Sequence, residues 1–93
     1  MNNYETIFIM ADDVIEEQRK VVIDKVKSYL NDNAKITKTK DLGLRKLAYE
    51  VRNCTQGYYY IIEFKSNPDV IRDLEKIYRI TDEIIKFITV RHN

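Results

Sequence analysis

The sequence predicts an α+β domain in which a four-stranded antiparallel sheet carries two helices on one face, in the order β-α-β-β-α-β. Three observations predict it. Two segments, beginning near Val14 and Pro68, repeat apolar residues at helical spacing, and the segments around them read as strands. The two middle strands are separated only by a short polar stretch and therefore form a hairpin. Two helices can cover one face of such a sheet, so the other face must be solvated or bind something.

The elements follow in order. Tyr4 to Ala11 is apolar on both faces, with Phe8 and Met10 on one side and Ile7 and Ile9 on the other, as a central strand requires. Asp12-Asp13 followed by Glu16-Glu17 reads as a helix start. Asp13 would accept orphan backbone N–H groups, Glu16 has capping-box spacing, and acids suit the positive end of the helix dipole. Ile15, Val22, Val26, Tyr29 and Leu30 supply its apolar face, and Asn31-Asp32-Asn33 ends it. Lys35 to Val51 is a long strand, wet in its first half and divided by Gly43, where a bulge is expected. Arg52 to Gly57 reads as a polar turn and Tyr58 to Lys65 as the next strand. Asn67 caps the second helix, with Pro68 in the first position, where no N–H is needed. Val70, Ile71, Leu74, Ile77 and Tyr78 form its buried face, and Ile84 to Arg91 is the last strand. The order defines a ferredoxin-like sandwich spanning residues 1–93 as one domain.

Composition narrows the function. A chain of 93 residues with a net charge of +1 has no global basic field, so any nucleic-acid contact must come from local clusters. The only cysteine is Cys54 and the only histidine is His92, which argues against a disulfide, a zinc site or histidine-based catalysis. Capping accounts for Asp12, Asp13, Glu16 and Glu17, and Cys54 has no base at a recognisable spacing. No catalytic residue, metal ligand or cofactor is therefore assigned. No apolar run approaches the roughly 20 residues of a membrane span. Met1-Asn2-Asn3-Tyr4 lacks a signal-peptide pattern, so the cytosol is the expected compartment.

Candidate binding residues remain. Arg45 and Lys46 are adjacent in a strand and point to opposite faces, so at least one can reach a phosphate or a partner carboxylate. The alternative is a solvated edge whose charges deter aggregation. Tyr58-Tyr59-Tyr60 has the look of a base-stacking platform. Alternation, however, puts Tyr58 and Tyr60 in the core and leaves Tyr59 exposed. Arg79, Lys86 and Arg91 gather near the end of the second helix and the last strand, where Arg79 also suits the helix C-terminus. Ile7, Ile9, Tyr59 and Ile61 are expected on the uncovered face, beside Glu63 and Lys65, as an apolar patch of interface type.

The run Gly43-Leu44-Arg45-Lys46-Leu47-Ala48-Tyr49 resembles the Gly-x-Arg-x-Leu-Ala-Tyr signature of the bacterial small-subunit ribosomal protein S6 family. Tyr4-Glu5 resembles that family's opening. Gln56-Gly57-Tyr58 resembles the start of its third strand, and Leu74 through Arg79-Ile80, Asp82 and Ile85-Lys86 resembles its last helix and strand. The resemblance implies a structural, non-enzymatic protein of the cytoplasmic ribosome. Such a protein would bind small-subunit ribosomal RNA together with ribosomal protein S18 and help to assemble the platform of the 30S subunit. It would have no membrane or small-molecule partner. The residue reading and the resemblance together give as candidate contact residues Asn2, Asn3, Glu5, Arg45, Lys46, Tyr49, Tyr59, Arg79, Lys86 and Arg91. Two departures stand out. Lys86 replaces a usual Arg and loses its bidentate fork, and Asn2-Asn3 stands where basic residues are common. Two other classes share the fold. A regulatory or oligomerising module would use the Ile7/Ile9 face as a homodimer interface. An acylphosphatase-like hydrolase would need a phosphate-cradling loop where this chain has Met10-Ala11-Asp12-Asp13, which repels phosphate.

Overall fold

Strand β1 (Asn2–Ala11) lies in the interior of the sheet because both of its faces are apolar. A computed structural model of the chain describes residues 1–92 and gives the elements α1 (Glu16–Asn33), β2 (Lys35–Val51), β3 (Cys54–Ser66), α2 (Asp69–Ile80) and β4 (Ile84–Arg91) after it. The strand order is β2-β3-β1-β4 and every neighbouring pair is antiparallel. This is the predicted ferredoxin-like sandwich.

The helix-covered face holds the main core. Tyr4, Phe8 and Met10 of β1 meet Tyr60, Ile62 and Phe64 of β3, under Val22, Val26 and Leu30 of α1 and Val70, Leu74 and Tyr78 of α2. Phe8 and Leu74 are fully buried, and each side chain of this kind contributes about 1.5–3 kcal/mol by leaving water. Thr6 is a fully buried polar residue beside this core, as Ser66 also is. The Thr6 hydroxyl lies 2.8 Å from the Tyr78 hydroxyl and 2.9 Å from that of Thr89, so three elements share a satisfied network.

Several expectations change at the element ends. Helix α1 starts at Glu16, not at Val14, and Asp13 makes no capping hydrogen bond. Asp12 and Asp13 instead occupy a turn closed by the Val14 N–H on the Ala11 carbonyl at 3.2 Å, and the Arg19 side chain donates back to the Val14 carbonyl. Ile15 is accordingly 61% exposed instead of lining the apolar face. Glu16 and Glu17 do lie in the first turn, where the helix dipole favours them. In α2, Pro68 has helical angles (φ −59°, ψ −28°), and the Asn67 carbonyl, not a side-chain cap, accepts the Val70 N–H at 3.2 Å.

The β2/β3 turn is tighter than expected. Arg52 and Asn53 have positive φ, 48° and 65°, and form a two-residue connection, so β3 already begins at Cys54. Gly43 adopts φ +69° beside an irregularity between Asp41 and Gly43, which realises the expected bulge. Asp41 Oδ1 accepts the Gly43 N–H at 2.9 Å and fixes it.

Candidate nucleic-acid and partner interface

The face opposite the helices is set by register. Ile7 pairs with Ile61 on one side and Ile88 on the other, Ile9 pairs with Tyr59 and Lys86, and Glu5 pairs with Glu63 and Val90. These residues therefore share the uncovered face. Ile88 is 55% exposed there and Ile7 and Ile61 are half-buried. A shallow depression of about 260 Å³, lined by Ile7, Ile9, Tyr59, Lys86, Phe87 and Ile88, runs along it.

One end of this face is not open. Beyond the Gly43 bulge the β2/β3 hairpin curls over the sheet as an arm. Leu47 and Cys54 come down on Ile9 and Ile85 and form a second, smaller core flanked by Ala11, Val51 and Tyr59. Ile9 is consequently only 5% exposed. The expectation that Ile9 lacks intrachain cover is therefore corrected, and Tyr59 is half-buried instead of exposed. The arm is tied down at three points. Lys86 Nζ donates to the Tyr49 hydroxyl at 2.9 Å and lies 4.4 Å from the ring centroid. Arg52 Nη1 lies 3.4 Å from the Asp82 carbonyl, and Cys54 Sγ is 3.5 Å from Asp12 Oδ1. Gly57 makes the close packing possible, since a Cβ there would sit 2.4 Å from Ile9 Cγ2 and 2.9 Å from the Met10 carbonyl oxygen.

The candidate residues divide between the two faces. Arg45 pairs with Gly57 and shares the uncovered face with Tyr49, Tyr59 and Lys86. It is exposed and its Nε donates to the Leu42 carbonyl at 2.9 Å. Asn3 and Glu5 lie on the same face at its far end. There the His92 N–H donates to the Asn3 carbonyl at 2.8 Å and His92 Nε2 approaches Glu5 Oε1 at 3.3 Å. The other four fall elsewhere. Asn2 and Arg91 are in phase with Tyr4 on the helix side, and Lys46, opposite Gln56, shares that side. Arg79, on α2, pairs with Glu75 at 3.5 Å and lies 5.7 Å from the Phe87 ring. Tyr58, expected in the core, is half-buried with the Arg19 guanidinium 3.7 Å from its ring centroid.

Sequence reading already sets Lys65 beside the apolar patch but leaves Lys35, Lys38 and Lys40 without a face. Register places all four on the uncovered face, opposite or beside Glu63 and Ile61. Among the described residues no group of three His, Cys, Asp or Glu side chains is placed to hold a metal.

The class this defines is a small ferredoxin-like protein whose accessible chemistry is an apolar and basic sheet surface instead of a cleft. A profile of the family described as Ribosomal protein S6 matches residues 3–91. The small ribosomal subunit protein bS6 of Caldanaerobacter subterraneus subsp. tengcongensis is 39% identical over 92 residues, covering 98% of this chain and 97% of that protein. The bS6 of Clostridium novyi is 41% identical over 91 residues, covering 97% and 96%. The crystal structure of 30S ribosomal protein S6 from Thermotoga maritima superimposes with a TM-score of 0.93 at 36% identity, covering 98% of this chain and 87% of that one. The chain belongs to the ribosomal protein S6 family.

Proposed function

We infer that this protein binds small-subunit ribosomal RNA jointly with ribosomal protein S18 and so helps to assemble the platform of the 30S subunit. As a member of the S6 family it is a structural protein of the small subunit on the cytoplasmic ribosome, and not an enzyme. None of its described helices is long and apolar enough to cross a membrane.

The observation that best supports joint binding is the mixture on the uncovered face. Ile7, Ile61 and Ile88 offer an apolar strip suited to a protein partner, and Arg45 lies farther along the same face, suited to phosphate. Tyr49, Tyr59 and Lys86 lie beside the strip, with Asn3 and Glu5 at its far end. Asn2, Lys46, Arg79 and Arg91, which lie off this face, are assigned as further RNA contacts on the resemblance and the local charge alone. A net charge of +1 gains little from counterion release, so affinity for RNA needs a partner that adds charge or buried area. Titration of the protein into platform RNA with and without S18 tests this. Joint binding predicts weak association alone and a large gain with S18. Equally tight binding in both titrations would remove the cooperative mechanism.

A further inference from the structure

Lys35, Lys38 and Lys40 form, with Lys65, a row that alternation along β2 does not reveal. Read by strict alternation, Lys35 and Lys38 are out of phase, and so are Lys40 and Arg45. Two irregularities, between Ile36 and Lys38 and between Asp41 and Gly43, restore the phase. Lys35, Lys38, Lys40 and Arg45 of β2 thus share the uncovered face, with Lys65 of β3 directly opposite Lys35. All five are exposed. Neighbours two residues apart on a strand are about 7 Å apart, so Lys38 and Lys40 present charge at a regular interval along a sheet edge.

Neutralisation within the chain is poor. Among the described residues none of the four lysines makes an ion pair or a side-chain hydrogen bond, although Lys38 stands opposite Glu63. Asp41, the acid inside the row, pairs opposite Tyr60 on the helix side and is engaged by the Gly43 N–H. Lys35 facing Lys65 is a like-charge pair, which destabilises a sheet unless an anion lies over it. Because β2 is an edge strand, its outward backbone N–H groups add donors of the kind that contact phosphates.

We propose that the Lys35–Lys38–Lys40–Arg45 row, with Lys65, is a binding track for an RNA phosphodiester backbone, running along the sheet edge beside the apolar strip assigned above to the protein partner. The proposal rests on the RNA-binding reading above and locates an additional electrostatic footprint for it. Lysines without fixed partners contact phosphates as point charges, so the track carries affinity and orientation, not sequence specificity.

The test is binding to small-subunit ribosomal RNA with S18 present, across a salt series. The proteins compared are the native chain, the Lys38→Gln/Lys40→Gln variant, and a control with Lys20→Gln/Lys76→Gln on the helices. The track predicts a slope of log K against log salt that is shallower by about 1.4–1.8 for the first variant, at about 0.7–0.9 per lost contact. It also predicts affinity about 25- to 60-fold weaker near 0.1 M salt, with the control unchanged. Equal losses in variant and control would assign the effect to net charge and overturn the track. Unchanged binding by the variant would overturn it while leaving the RNA reading intact. Loss of S18 binding by the same variant without RNA would give the row to the protein partner. No binding by the native chain would remove the RNA reading, and the track with it.

Discussion

Two glycines differ at the level of single atoms. Gly57 is required by space, because an added Cβ meets Ile9 Cγ2 and the Met10 backbone oxygen, and the latter has little freedom to retreat. Gly43 is required by conformation, since nothing lies within 4 Å but φ is +69°. Gly57→Ala should cost about 1–3 kcal/mol by overpacking. Gly43→Ala should cost about 1–2 kcal/mol, and Gly43→Asn less, because asparagine tolerates positive φ. At Gly57 asparagine should be worse than alanine. Denaturant unfolding of the four variants checks this, and asparagine proving the milder change at both sites would contradict it. Tyr78 supplies a pH signature. Burial pushes its hydroxyl above the ordinary value of 10.0, against an opposing hydrogen bond with Thr6. The folded protein holds this proton where the unfolded chain begins to release it. Stability from this source is complete below that value and declines as the pH rises above it. Tyr78→Phe should lower stability at neutral pH by about 0.5–1.5 kcal/mol and should flatten the decline above about pH 10. Unfolding curves at stepped pH compare the two slopes, and identical slopes would remove Tyr78 as the cause.

Among the elements, the hairpin arm shows what pattern reading can and cannot reach. Strands β2 and β4 are legible to the residue, because β-rich runs end at the turn signals Arg52-Asn53 and at the polar Asp82-Glu83. The start of α1 is not, because Asp13 has the right chemistry for a cap but lies inside a separate turn. The cover on Ile9 is not legible either. It depends on Leu47, distant in sequence, and on a bulge that redirects the second half of β2. That bulge, which offsets Arg45 from Lys40, and the earlier irregularity between Ile36 and Lys38, which offsets Lys38 from Lys35, together conceal the basic row, since one inserted residue inverts the apparent face of everything beyond it. The arm's turn also carries a correctable strain. Arg52 has φ 48°, where arginine is uncommon and asparagine is favoured. Arg52→Asn should stabilise by about 0.5 kcal/mol or more, despite losing an exposed 3.4 Å contact to Asp82. A lowered melting temperature would mean that this contact outweighs the turn.

Across the whole molecule, the two faces of the sheet have different thermodynamic roles. The helix face holds the larger core, and the uncovered face divides into a covered end and an open strip. Ile9 and Ile88 sample the two regions. Ile9→Lys buries an unpaired charge beneath the arm and should cost several kcal/mol, a large part of the stability of a domain this size. Ile88→Lys adds a charge at a position already 55% exposed. It should shift stability by no more than about 0.5 kcal/mol while weakening S18 docking on the strip. Circular dichroism together with a pull-down on purified S18 separates these outcomes, and normal docking by folded Ile88→Lys would exclude the strip as the contact. The small second core has a kinetic consequence as well. Few contacts hold it, so it should open and close many times for each global unfolding event. The only thiol of the chain, Cys54, is 8% exposed inside it. An unmodified sample treated with a thiol-labelling reagent would therefore be modified through lifting of the arm: the labelling rate reports the open fraction at low reagent concentration and, once it no longer rises with added reagent, the opening rate itself.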